Sequence, residues 1–201
     1  MYKTARPITL VDALIPVTAI RQSMIRDALF IISFVIITAA FARIAIPLPF
    51  TPVPITGQTL AVLLAGAVLG SRRGAISMTI YVVAGAWLPL YASGVSGFIW
   101  GMASGGYIVG FIPAAYVVGY LSEKGWDRRP WVILSMLAGN VLIYIPGLLQ
   151  LSLFVPEGQT LAMGLYPFIP GDLIKIGVAS LVLPTAWGLF NLSKGSFQIW
   201  K

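Results

Sequence analysis

Six apolar runs separated by short polar or proline- and glycine-rich stretches make up most of this chain. The first spans about 28–46, is rich in Phe and Ile, and carries no charge until Arg43. The second, about 58–69, is short for a bilayer crossing. It ends at Gly70-Ser71-Arg72-Arg73-Gly74, which reads as a tight basic turn. Further runs cover about 75–91, 107–121, 131–153 and 172–192, and Pro146 predicts a kink in the fifth. At about 20 residues per crossing, the runs predict an all-α membrane protein with six transmembrane helices.

The segments between the runs differ in kind. Residues 1–27 mix Lys3, Arg6, Asp12, Arg21, Arg26 and Asp27 with apolar positions, and Pro7 and Pro16 limit any helix to short pieces. Two readings fit this segment: an amphipathic stretch on the membrane surface, or a disordered tail. Pro47-Leu48-Pro49-Phe50-Thr51-Pro52-Val53-Pro54 cannot be regular helix and is too apolar for a solvated loop. It is predicted to be an extended or re-entrant segment lying against protein, because bare backbone is not tolerated in lipid. Residues 92–106 form an uncharged glycine-rich loop containing Phe98 and Trp100, and 122–130 is the most polar loop.

Composition agrees with the pattern. The chain is 58% hydrophobic and 9% charged, with a mean hydropathy of +0.91, against about 25% charged residues in a soluble domain. Cys and His are absent, which removes disulfides, thiol and imidazole nucleophiles, and thiolate or imidazole metal sites. No phosphate-binding G-x-x-x-x-G-K-[ST] loop occurs, and the first residues lack the pattern of a signal peptide. The net charge of +7 would suit nucleic acid in a soluble protein, but its placement says otherwise. Six helices put the N-terminus, the 70–74 turn, the 122–130 loop and the C-terminus on one side. Of the 13 basic residues, only Arg43 and Lys175 then fall on the other. Positive charge marks the cytoplasmic side, so the expected topology is N-in and C-in, with no nucleic-acid partner. The expected organisation is a cytoplasmic segment 1–27, a six-helix domain 28–193 and a cytoplasmic tail 194–201. The proline-rich loop between helices 1 and 2 would face outward.

This topology gathers the candidate chemistry. Asp172 and Lys175, three apart at the start of the last run, share a helix face and sit with Arg43 at the outer end, beside the proline segment and the glycine loop. Charges at such positions face a partner or a cavity, or form a plain intrahelical ion pair. A small ligand with a carboxylate and a neutral polar head suits two cations and one anion in an apolar pocket. No nucleophile with a partner is visible, so catalysis is not expected.

The chain resembles the BioY type of biotin-specific substrate-binding (S) component of energy-coupling-factor (ECF) vitamin transporters. The resemblance rests on Arg43-Ile44-Ala45-Ile46-Pro47-Leu48-Pro49-Phe50-Thr51-Pro52-Val53-Pro54-Ile55-Thr56-Gly57-Gln58-Thr59, and on Gly105-Gly106-Tyr107-Ile108-Val109-Gly110-Phe111. It rests also on Gly139-Asn140 with Tyr144 and Gly147, and on Pro167-Phe168-Ile169-Pro170-Gly171-Asp172-Leu173-Ile174-Lys175. It implies a biotin site near the outer surface, no cofactor, a prokaryotic cell-membrane location, and separate coupling and ATPase subunits as partners. Asp172 and Lys175 are implied ligand contacts, and the proline loop an implied lid. Ser93, Ser104, Tyr107 and Gln58 join the candidate set. Arg43 either meets the ligand carboxylate or anchors a helix end, and Tyr91 and Trp100 either stack on ligand or sit in an interfacial belt. Asn140, inside a span, is read as a helix–helix hydrogen-bonding residue. Two departures stand out. Met102-Ala103-Ser104 lacks the proline the family usually has there, and Thr38-x-x-x-Ala42 is only a near match to the Ala-x-x-x-Ala docking pattern on helix 1.

Overall fold

A computed structural model describes residues 9–16, 20–128 and 130–198, so expectations for 1–8, 17–19, 129 and 199–201 lie outside the described residues. The chain forms helices α1 (Leu10–Leu14) and α2 (Ile20–Phe41), then two short strands, β1 (Ala45–Ile46) and β2 (Ile55–Thr56). Helices α3 (Gln58–Leu69), α4 (Ser71–Ala84), α5 (Gly105–Glu123), α6 (Val132–Leu151), α7 (Thr160–Gly164) and α8 (Ile169–Gln198) follow. Among the described residues, four stretches are long and apolar enough to cross a membrane: Arg21–Phe41, Gly105–Glu123, Val132–Leu151 and Thr160–Phe190. Between them α3, at 12 residues, and α4, at 14, are shorter helices of the same bundle.

Small residues bring the helices together around α5. A Cβ at Gly106 would lie 2.1 Å from the Pro146 carbonyl oxygen, and one at Gly110 would lie 2.8 Å from the Ile143 α-carbon. These two glycines, one turn apart, let α5 and α6 touch backbone to backbone. On another face of α5, a Cβ at Gly66 of α3 would meet the Ala115 carbonyl oxygen at 2.4 Å. The core accordingly centres on α5, with Phe111, Ala114, Ala115 and Val118 buried against Leu63, Met78 and Met136. By contrast Leu29 and Ile36 of α2 are 65% and 63% exposed, as a lipid-facing surface would be. Pro146 lies inside α6 without ending it.

Three boundaries differ from the sequence reading. Residues 70–74 are not a loop: the turn is confined to Gly70, at φ 88°, and α4 begins at Ser71. That start places Arg72 and Arg73 at a helix N-terminus, where positive charge is disfavoured. The Glu123 carboxylate offsets this by accepting from the Ser71 N–H and Oγ, each at 2.8 Å. The third run ends as helix at Ala84, since Gly85-Ala86-Trp87-Leu88-Pro89 cannot extend it. Thirdly, part of 1–27 is ordered against the bundle. Thr9 caps α1 by accepting from the Asp12 N–H, and Leu10, Val11 and Ala13 are buried, Leu10 and Ala13 in a cluster with Trp187 of α8.

The proline segment is a hairpin. Ala45 pairs with Thr56 and Ile46 with Ile55 in antiparallel register, and the prolines occupy the connection. Pro lacks a donor N–H, so the ladder can be only two residues long on each strand before the prolines end it. Val53 turns inward, and the Thr51 hydroxyl donates to the Met163 carbonyl of α7 at 2.7 Å.

Candidate functional site

Under the hairpin, at the end of the bundle where α8 begins, lies a cavity of about 590 Å³, mouth included. Its walls come from the hairpin (Val53, Pro54, Thr56), α3 (Gln58, Thr59), α5 with the residue before it (Ser104, Tyr107, Phe111), α6 (Asn140, Tyr144) and α8 with the residue before it (Phe168, Asp172, Lys175).

The polar groups form a chain. Lys175 Nζ donates to Asp172 Oδ1 at 3.2 Å and to Thr59 Oγ1 at 2.8 Å. The Tyr144 hydroxyl donates to Asp172 Oδ2. Each carboxylate oxygen of Asp172 thus has a donor, which a carboxylate only 7% exposed requires. Local sequence explains its position: Pro170 is tolerated in the first turn of α8, and an acidic residue there complements the positive helix end. Lys175 has three donor hydrogens and uses two, leaving one for a ligand acceptor. The Asn140 side chain faces the cavity without a hydrogen-bond partner among the described residues. Gln58 is held in place from behind, its Nε2 donating to Tyr81 Oη at 2.6 Å while Tyr81 donates to the Leu90 carbonyl at 2.7 Å. Tyr107 and Tyr144 meet edge to face, with ring centroids 6.0 Å apart, making an apolar wall with Phe168. Among the described residues no cluster of His, Cys, Asp and Glu could hold a metal ion.

Five residues singled out from the sequence, Gln58, Ser104, Tyr107, Asp172 and Lys175, meet at this cavity. Four others, Tyr91, Arg43, Ser93 and Trp100, do not line it. Tyr91 is buried beside Tyr81 and donates to the Val82 carbonyl at 2.6 Å. Arg43 donates to the Pro89 carbonyl at 2.6 Å, and Ser93 is exposed in the loop beside it. Trp100 is 74% exposed and stands away from the cavity. Asn140 turns its side chain into the cavity rather than pairing with a neighbouring helix. Sequence reasoning passed over Thr59 and Tyr144 as contacts within the site. The signal for Tyr144 was its spacing of four from Asn140, which puts both on one face of an otherwise apolar helix.

The chain is similar to known proteins. The sequence model of the BioY family matches residues 12–192. A biotin transporter BioY from Rhizobium etli is 38% identical over 175 residues, covering 73% of this chain and 89% of its own length. One from Thermotoga maritima is 36% identical over 140 residues, covering 68% of this chain and 82% of its own. Among solved structures, the S-component for biotin from an ECF-type ABC transporter aligns with a TM-score of 0.74 at 24% identity, covering 84% of this chain and 94% of that one.

Proposed function

We infer the function from one premise: this chain belongs to the BioY family. It is a multi-pass membrane protein that takes up biotin as a substrate-binding component, and it is a transporter rather than an enzyme. The cavity at the start of α8 is the biotin site. The observation that carries this assignment is the joining of Asp172 and Lys175 to one cavity that also holds the unpartnered amide of Asn140. Biotin offers a carboxylate at one end and a cyclic urea with two N–H donors and one acceptor at the other. Lys175 supplies a donor, Asp172 an acceptor, and Asn140 both. The apolar wall of Tyr107, Tyr144 and Phe168 takes the carbon skeleton.

Charge bias supports six crossings with both termini cytoplasmic, α3 and α4 acting as the short second and third spans in a prokaryotic cell membrane. The site then opens outward under the proline hairpin, which acts as the lid. Separate coupling and ATPase subunits drive release inward.

Binding of radiolabelled biotin to the protein in detergent tests the site, with thiamine and riboflavin as competitors. The expected result is saturable biotin binding, unaffected by either competitor, and lost in Asp172→Asn and in Lys175→Ala. Wild-type affinity in both variants would show that biotin sits elsewhere.

One observation favours a second reading, a carrier that works without an ATPase. Thr38 and Ala42 are each 0% exposed, and Thr38 donates to the Phe34 carbonyl at 2.7 Å. The near match to a docking motif therefore faces into the bundle and is not displayed to a partner helix. Uptake measured in a host lacking coupling subunits separates the readings. Biotin accumulation there supports the solitary carrier, and uptake only after the subunits are restored supports the coupled one.

A further inference from the structure

The loop between α4 and α5 closes one side of the cavity, since Ala92 and Ser104 both line it. Its two ends are fixed differently. At the α5 end, Gln150 of α6 donates through Nε2 to the carbonyls of Ile99 at 2.6 Å and Met102 at 2.9 Å. At the α4 end, Tyr91 is buried and tied to Val82. Between these anchors, Ser93 and Gly94 rest on Ala42 and Arg43, the residues just after α2. The Ser93 N–H donates to the Ala42 carbonyl at 3.2 Å. The neighbouring Arg43 guanidinium spans from the Pro89 carbonyl to Gly94 and lies so close that a Cβ at Gly94 would come 2.1 Å from its Nη1.

This segment also stores strain. Ser93 has φ 56°, the one positive value among described residues other than glycine. An L-residue held there is strained and stays only where its surroundings hold it. Ala42 accepts from the Ser93 N–H and Arg43 covers Gly94 beside it, while the N–H groups of Gly94 and Gly97 donate to the carbonyls of Tyr91 at 3.0 Å and Gly85 at 3.1 Å. The guanidinium bond is solvent-exposed, so it can break and reform without burying an unpaired charge.

We propose that Arg43 is a latch: a positioning residue that keeps the 92–98 segment against the cavity without touching the ligand, so that biotin exchange requires its release. The inference rests on the reading that the cavity holds biotin. It assigns a role to a residue that the sequence left between ligand contact and helix anchor. It also explains why the glycine loop needs Gly94, at φ 80°, where any side chain would displace the guanidinium.

The experiment measures dissociation of biotin and of biotin methyl ester from the full chain in detergent, together with hydrogen exchange of the ligand-free protein. Arg43→Gln is expected to speed release of both ligands alike, by about threefold to tenfold, the upper figure corresponding to about 1.4 kcal/mol. Amides of 93–97 should exchange faster in the same variant with no ligand present. Ser93→Asn, which tolerates the left-handed conformation better, should slow release of both ligands by about twofold. Faster release of biotin alone would make Arg43 a carboxylate contact and overturn the latch. Unchanged release and exchange would overturn it equally. Loosened amides in a chain that binds no biotin would leave the latch standing and remove the biotin reading instead.

Discussion

Asp172 is held from two sides by groups of different kinds, and they should differ in what their loss does. Tyr144 donates a neutral hydrogen bond to Oδ2, and Lys175 a charged one to Oδ1. Removing one donor leaves a buried acceptor unpaired, a cost of about 1–3 kcal/mol. Tyr144→Phe keeps the ring that packs on Tyr107 and removes only the hydroxyl. Calorimetry should find biotin binding about tenfold weaker in this variant with the fold intact. Asp172 and Lys175 could be read from the sequence because a charge in an apolar run needs a reason. Tyr144 and Thr59 could not, because an aromatic or a hydroxyl in such a run has ordinary uses at the interface or along the helix itself. Asn140 was visible as polar, but the surface it faces depends on the rotation of α6 about its own axis.

The elements carry two further expectations. Packing of α5 on α6 depends on the absence of side chains at Gly106 and Gly110, whose neighbours are backbone atoms that cannot move aside. Gly106→Ala should force the helices apart at a cost of about 1–3 kcal/mol, read as a lower melting temperature in detergent. Conversely α1 is held by charge as well as by its buried Leu10, Val11 and Ala13. Asp12 accepts from Arg26 of α2 at 2.8 Å and from Arg73 of α4 at 2.7 Å, and Asp27 joins both arginines. Burial alone would raise the Asp12 carboxyl. The hydrogen bonds from Arg73 and Thr9 and the charges of Arg73 and Arg26 outweigh it and hold the group below its ordinary value of 3.8. A depressed acid contributes stability above its unfolded value and loses it as pH falls through the folded one. Docking of α1 should therefore be complete at neutral pH and weaken only as pH falls below the ordinary carboxyl value. Asp12→Asn should undock it at every pH, seen as rapid exchange of the Ala13 and Ile15 amides. Sequence marked Asp12, Arg26, Asp27 and Arg73 as charged but could not pair residues 61 apart. The short α1 thus remained open between surface helix and disorder.

At the scale of the molecule, a polar end and a ligand end lie at opposite ends of the bundle. Asp127, between α5 and α6, belongs to the polar end. It is 1% exposed and accepts from Trp187 Nε1, and burial raises its carboxyl above the ordinary value. Both short helices, α3 and α4, reach the polar end at the Gly70 turn, and the hairpin and α7 close the other. What the sequence determined by itself is what depends on composition and period. That includes the apolar helical segments, the non-helical proline stretch, and the charged pair at the head of the last helix. These follow from the cost of placing charge or bare backbone in lipid, a cost that is local to each segment. Tertiary structure decided what depends on how one helix is turned toward another. It brought Thr59, Asn140 and Tyr144 to Asp172 and Lys175, set Arg43 on the loop and not in the cavity, and turned Thr38 and Ala42 inward. Each outcome depends on helix rotation, which close contacts across the bundle decide, such as those of Gly66, Gly106 and Gly110, and no single segment carries that information.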